Sequence, residues 1–272
     1  MQKLDKSKLV KNLGKRYKLV PFLDKALTTF DAPWEFRYEP KIADSGWHPS
    51  GHCMPPVSAL FAEAKMLTQE WEVRDSQGSQ FEDHVDAKPE AIKAETRKAF
   101  MVGHYWHQLL QHLSVELGFA GPNDIERRGK KEWGIPNTYY FGGSGDGFRF
   151  PKPYHWATGS GDIAPCKLPG GWEGVVDFKT MASAQYKLPD VPPWAADKYK
   201  CQINMYMDFF DLEHGLIVAI NKDAPHDFKE FEYERDQALI DAIYGKWEFI
   251  SECLDHDIEI TKDDDEHFPL PV

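Results

Sequence analysis

From Ala91 onward the chain switches repeatedly between a helical and a strand-like hydrophobic period, and few folds accommodate that order. Val102, Trp106, Leu109, Leu110, Leu113 and Leu117 fall on one helical stripe, and Gly118 is placed to stop the helix. Strand-like pieces follow at 124–133, 138–150, 156–167 and 172–181. After Pro192 and Pro193 a helical pattern covers 194–210. Strands are expected over 215–223 and 226–234, and a closing helix over 235–255. Helices interleaved with strands in this way describe a mixed α/β domain whose sheet lies between helices. Upstream, 1–35 reads as short helices, 47–56 as a Pro- and Gly-rich loop, 56–72 as a helix and 74–90 as a polar linker. The expected organisation is a mostly helical accessory region over 1–90, a core over 91–258 and an acidic tail over 259–272.

Within this order, the run from Trp172 to Met181 stands out. Val175 and Val176 are apolar and β-branched, as a buried strand requires, yet Asp177 and Lys179 follow at a spacing that puts both on one strand face. Glu63–Lys65 and Asp86–Lys88 share the spacing, but the first lies in a helical pattern and the second runs into Pro89 in the linker. Just upstream, Leu168 to Gly171 reads Leu-Pro-Gly-Gly, a turn signal. Folding the chain between Pro169 and Gly170 sets Asp162 directly opposite Asp177, where cross-strand Cβ atoms lie about 4.5–5.5 Å apart. Two carboxylates that close repel unless a proton or cation sits between them. A hard divalent cation with oxygen ligands, Mg²⁺ or Mn²⁺, fits that pair.

Two more pairs sit at helical spacing: Gly103 with His107 in the first helix, and Gln202 with Tyr206 in the second. Taken in chain order, Gly103-x-x-x-His107, Gly159-x-x-Asp162, Asp177-x-Lys179 and Gln202-x-x-x-Tyr206 resemble the motif set of RecB-like nucleases of the PD-(D/E)XK superfamily. That group includes the CRISPR-associated RecB-like exonucleases and many phage exonucleases. The resemblance covers about 95–255. It implies a restriction-endonuclease-like core with a mixed central sheet flanked by helices, behind a helical N-terminal extension. It also implies that His107, Asp162, Asp177 and the Phe178 carbonyl bind metal. Lys179 would position or activate the attacking water and offset transition-state charge, and Gln202 and Tyr206 would shape the site beside the scissile strand. The substrate would be DNA with free ends, with a partner protein from recombination or replication, in a phage or bacterial setting. An endonuclease or a CRISPR-adaptation nuclease would use the same residues.

The chain departs from the family in two places. Many relatives hold an iron–sulfur cluster through one early cysteine and a tight C-terminal trio. Cys53 matches the early position, but only Cys201 and Cys253 follow Lys179, so no cluster is expected. Gly143-x-x-Asp146 also mimics the Gly-x-x-Asp motif, with no tight hairpin linking it to Asp177; it is read as a glycine-rich turn or part of the substrate path. Arg127, Arg128, Lys130 and Lys131 suit phosphate contacts. Relatives often carry an acid where Glu126 stands, and little is expected of it here. His48 and His52 are read as loop residues rather than a helical zinc face.

The net charge of −12 argues against a surface coated for DNA binding, and it is what would favour a non-catalytic acidic DNA mimic on the same fold. Local charge and a bound metal matter more to catalysis. The basic residues crowding the first eighteen positions form either a solvated face or a phosphate-touching arm. No run approaches the roughly 20 apolar residues of a membrane span, and the N-terminus has no apolar signal core, so a cytoplasmic, membrane-free setting is expected.

Overall fold

The computed structural model describes residues 19, 46–76, 94–133, 154–187, 193–223 and 227–270. The expected helices of 1–35, most of the 74–90 linker, the 138–150 strand and Asp146 lie outside them. In chain order the elements are α1 (Pro49–His52), α2 (Val57–Ser76), α3 (Ala94–Glu116), β1 (Arg128–Glu132), β2 (Trp156–Ser160), β3 (Ile163–Lys167), β4 (Glu173–Met181), α4 (Ser183–Tyr186), α5 (Pro193–Phe210), β5 (His214–Asn221), β6 (Phe228–Glu234) and α6 (Gln237–Asp255). Short 3₁₀ turns lie at Pro122–Asp124 and Lys262–His267. Contacts group the chain in two units that are discontinuous in sequence: 1–40, 90–128 and 160–235 form one, and 41–89, 129–159 and 236–272 the other.

The first unit is a mixed α/β layer structure. Its sheet runs β3-β4-β5-β6, antiparallel at both outer pairs and parallel between β4 and β5. A parallel pair needs a crossover, and α4 with α5 supplies it. Both central strands are covered on two faces, which is why Val175–Phe178 and Gly215–Asn221 are buried without a break. On one face Val176, Phe178, Leu216, Val218 and Ile220 pack against Leu109, Leu110 and Leu113 of α3 and Leu117 just past its end. On the other, Val175 and Ile217 pack against Ile203, Tyr206 and Met207 of α5. The sheet therefore lies between helices, as the order of periodicities requires. α3 ends where expected: Gly118 adopts φ 68°, and Phe119 N donates to Ser114 O at 2.9 Å.

Two expectations are corrected here. The strand-like piece 156–167 is not one strand. It breaks at Gly161–Asp162 into β2, which pairs with β1 in a separate two-stranded sheet, and β3. A Cβ at Gly161 would stand 2.5 Å from Val175 Cγ2, so the chain passes β4 too closely there for any side chain. The hairpin is also wider than a two-residue turn. Leu168 N donates to Trp172 O at 2.9 Å, and Gly170 and Gly171 take φ 98° and 87°, so the loop is centred on Gly170. Near the turn Cys166 faces Gly174, one residue off the expected pairing, but an irregularity between Ile163 and Cys166 restores it, so that Ile163 faces Val176. Pro165 lies inside that irregularity and has no N–H for the ladder.

The second unit centres on a tryptophan stack. The Trp247 ring lies 6.0 Å from Trp47 and 6.5 Å from Trp133, nearly parallel to both. Beside it the Lys246 ammonium is buried and donates to Cys53 O and, at 3.1 Å, to Pro55 O. The 47–56 stretch is not wholly loop: Pro49 opens the helical turn α1, the position proline tolerates best. The acidic C-terminal segment is docked. Asp265 accepts from Ser58 N and from Ser58 Oγ, both at 2.8 Å, at the start of α2, where a carboxylate meets unpaired N–H groups. Among the described residues no helix is long and apolar enough to cross a membrane.

Candidate active site

The site forms where α3 crosses the end of the β3–β4 hairpin, entirely within the first unit. Gly103, His107 and Gln111 follow one another at single-turn spacing and form a stripe on α3. Gly103 lets the helix come close, since a Cβ there would stand 3.2 Å from Thr180 Oγ1. One turn on, the His107 ring lies 6.1 Å from that of Phe178, and His107 Nδ1 is 3.1 Å from Asp162 Oδ1. A further turn on, Gln111 Nε2 donates to the same Asp162 oxygen at 2.9 Å.

Asp162 stands just before β3, where the ladder to β4 runs out. Its Oδ2 takes the N–H of Phe178 at 2.6 Å, in place of the ladder bond β3 no longer provides. Burial by itself would raise this carboxyl. The His107 imidazolium, the Phe178 N–H and the Lys179 ammonium outweigh it and hold the group down to about 2. His107 shows the reciprocal effect: burial lowers it, but Asp162 raises it above its ordinary value overall.

Asp177 is in the opposite condition. It shares the β4 face of Val175, towards α5, and burial pushes it up to about 6, with Asp162 adding to the push and Lys179 only partly offsetting it. Lys179 Nζ lies 2.6 Å from Asp177 Oδ2, yet off the direction of a hydrogen bond, so that buried oxygen has no directed partner. Burial lowers Lys179, and Asp177 with Asp162 more than reverses it, so the ammonium stays charged.

The expected Gln202–Tyr206 pair is present: Gln202 Nε2 lies 2.6 Å from the Tyr206 hydroxyl, both buried on α5. The α5 side chain that reaches the lysine is a different one, Tyr199, whose ring centre is 5.6 Å from Lys179 Nζ. Tyr199 and Gln111 were not singled out from sequence. Each was within reach of it, for Gln111 continues the Gly103–His107 spacing and Tyr199 precedes Gln202 and Tyr206 on one helix face. Glu126 is drawn in more closely than expected: its carboxylate accepts from Gln111 Nε2 at 3.2 Å, and its N–H donates to Asp162 O at 3.2 Å.

The remaining candidates lie elsewhere. Arg127, Arg128, Lys130 and Lys131 are all exposed. In the first unit the Arg127 guanidinium lies over the Phe210 ring at 5.5 Å. In the second, Lys130 lies over Trp156 at 4.5 Å and Lys131 over Tyr244 at 3.8 Å. His52 closes α1, a helical turn and not a loop; its Nδ1 accepts from His48 N at 2.8 Å, and its Nε2 is 3.7 Å from Glu63. All four cysteines are buried.

The donor chemistry suits a hard divalent cation: two carboxylates, an imidazole and the Phe178 main-chain carbonyl, with one buried carboxylate oxygen lacking a directed partner. As they stand, the three side chains do not converge on one point, and among the described residues no three His, Cys, Asp or Glu groups do. His107 is turned onto Asp162, and Lys179 onto Asp177.

No family model matches the chain, and no curated protein matches it. Among solved structures it is similar to a phage-related exonuclease from Haemophilus somnus 129PT, with 17% identity over 78% of this chain and 95% of that one, at a TM-score of 0.43. It is also similar to an alkaline exonuclease from Laribacter hongkongensis, with 16% identity over 83% of this chain and 95% of that one, at a TM-score of 0.39.

Proposed function

We infer that the chain is a metal-dependent nuclease that hydrolyses phosphodiester bonds in DNA, acting on free ends as a RecB-like exonuclease. One observation carries this reading: Asp162 and Asp177 are both buried at the hairpin end with Lys179 2.6 Å from Asp177, and burial, with the charge of Asp162 adding to it, still pushes Asp177 up to about 6. The Asp177 charge is a burden on the metal-free fold, and a divalent cation would relieve it. The motif order in the sequence supports DNA as substrate.

Asp162, Asp177, His107 and the Phe178 carbonyl would hold Mg²⁺ or Mn²⁺, which would supply Lewis-acid polarisation of the phosphoryl group. The protein's own work is positional and electrostatic. Asp162 is fixed by bonds to both of its oxygens. Lys179 keeps its proton and offers a charged donor beside the carboxylates, where negative charge develops on the phosphoryl oxygens. Tyr199 and Asp177 both lie beside that ammonium. The Gln202–Tyr206 bond fixes one edge of the α5 wall.

The test uses linear and closed circular duplex DNA with Mg²⁺, Mn²⁺ or EDTA. Linear DNA is degraded with either metal and left intact in EDTA, and Asp177→Asn is inactive. Cleavage of circular DNA at a comparable rate would instead favour an endonuclease. No cleavage with any cation would overturn the enzymatic reading and leave the non-catalytic DNA mimic.

A further inference from the structure

Gln111 is 3% exposed, and a buried amide is normally kept only where its polar atoms find partners. Its Nε2 carries two hydrogens and spends them on two carboxylates, Asp162 Oδ1 at 2.9 Å and Glu126 Oε1 at 3.2 Å. The acids come from different segments, one before β3 and one before β1. Those segments are also joined through the main chain: Ile125 bridges to Ile163, and Glu126 N donates to Asp162 O at 3.2 Å. Glu126 sits at φ 48°, a left-handed conformation uncommon for glutamate, so the neighbouring contacts must hold it there.

The charge of the tether matters as much as its reach. A lysine or arginine at this point would also bond both acids, but it would neutralise the negative charge that attracts a cation. A leucine or methionine would leave both carboxylates without this donor. A side-chain amide gives two donors from one nitrogen at no net charge.

We propose that Gln111 is a positioning residue that fixes the spacing of Asp162 and Glu126 through one neutral amide, and so sets the affinity of the site for its divalent cation. This rests on the nuclease reading above. Gln111 touches neither substrate nor cation; it acts through the carboxylates.

The test is a Mn²⁺ titration of wild type, Gln111→Met and Gln111→Asn, read by calorimetric binding and by the rate on linear DNA, with urea midpoints to confirm folding. Methionine keeps the length and loses the donors, whereas asparagine keeps the donors and loses the reach. Both should raise the Mn²⁺ concentration for half-maximal rate by about 10–100-fold, as loss of a partner behind a metal ligand does. At saturating Mn²⁺ the rate should return to within a few-fold of wild type. A merely structural role predicts a different result, a rate loss that metal does not rescue. Unchanged Mn²⁺ affinity in folded Gln111→Met, with wild type active, would overturn this proposal alone. If Gln111→Met does not fold, Gln111→Asn decides by the same readout. Wild type that neither binds Mn²⁺ nor cuts DNA would overturn the nuclease reading, and this proposal with it.

Discussion

Asp162 and Asp177 are both buried, yet their isosteric replacement should move stability in opposite directions. Asp177 is pushed up to about 6 from an ordinary 3.8. At 1.36 kcal/mol per pH unit, holding its charge at neutral pH costs the metal-free fold about 3 kcal/mol. Its folded value lies above its unfolded value, so the metal-free protein loses stability as pH rises from about 4 to about 6. Asp162 is held down to about 2, so its charge stabilises by about 2 kcal/mol, present above pH 4 and lost as pH falls towards 2. Asp177→Asn should therefore gain about 1–3 kcal/mol at pH 7.5 in EDTA, the range allowing for imperfect amide bonding. Asp162→Asn loses that stabilising charge and turns an NH₂ towards one of the groups that donate to it, His107, Gln111 and Phe178. It should lose about 3–5 kcal/mol. Urea denaturation in EDTA at pH 4.5 and 7.5, taken as variant minus wild type, isolates these effects from other carboxylates. The gain from Asp177→Asn should shrink markedly at pH 4.5. A lower urea midpoint for Asp177→Asn than for wild type at pH 7.5 would refute the claim that this carboxylate carries the burden.

Three further outcomes are expected. Lys179→Met should cut the rate on linear DNA by at least about 100-fold while leaving the fold intact, because the ammonium acts on developing charge; near-normal cleavage would remove it from the chemistry. Lys246→Met should lower the urea midpoint by the equivalent of about 2–4 kcal/mol, since the Cys53 and Pro55 carbonyls lose a charged donor in a buried place; an unchanged midpoint would mean that water replaces it. Anaerobically purified protein should contain no stoichiometric iron or sulfide by elemental analysis, and several iron atoms per chain would show that distant cysteines are gathered after all.

The sequence made the layered architecture readable because its strongest signals were collective. The Leu109–Leu117 stripe, the Val175–Val176 pair of β4 and the Leu216–Ile220 run of β5 report burial directly. The acids and the lysine were readable because a charge inside an apolar strand is conspicuous. What escaped was decided by single contacts. The split at Gly161 depends on how near Val175 comes, and the pairing offset depends on Pro165 having no N–H; neither follows from periodicity. The sequence of α1 reads as loop because proline and glycine break most helices, yet Pro49 stands at a helix's first position, where proline is tolerated. Gln111 and Tyr199 are neutral and lie on helices already assigned; only their helical spacing from His107 and from Gln202 marks them, and packing residues share that spacing.

The irregularity at Pro165 has a practical consequence. It lets Ile163, Cys166 and Leu168 all face the α3 side, although strict alternation would turn Ile163 away from the other two. The hairpin tip and the site thus follow different phases of the same two strands, and neither dictates the other. The tip is also exposed, and Gly170 and Gly171 have open space where a side chain would grow. Between them lies a natural attachment point: a short peptide tag or a fluorophore-bearing insert placed there would ride on the outer ladder. It would report on the protein's encounters while leaving the carboxylates where they are.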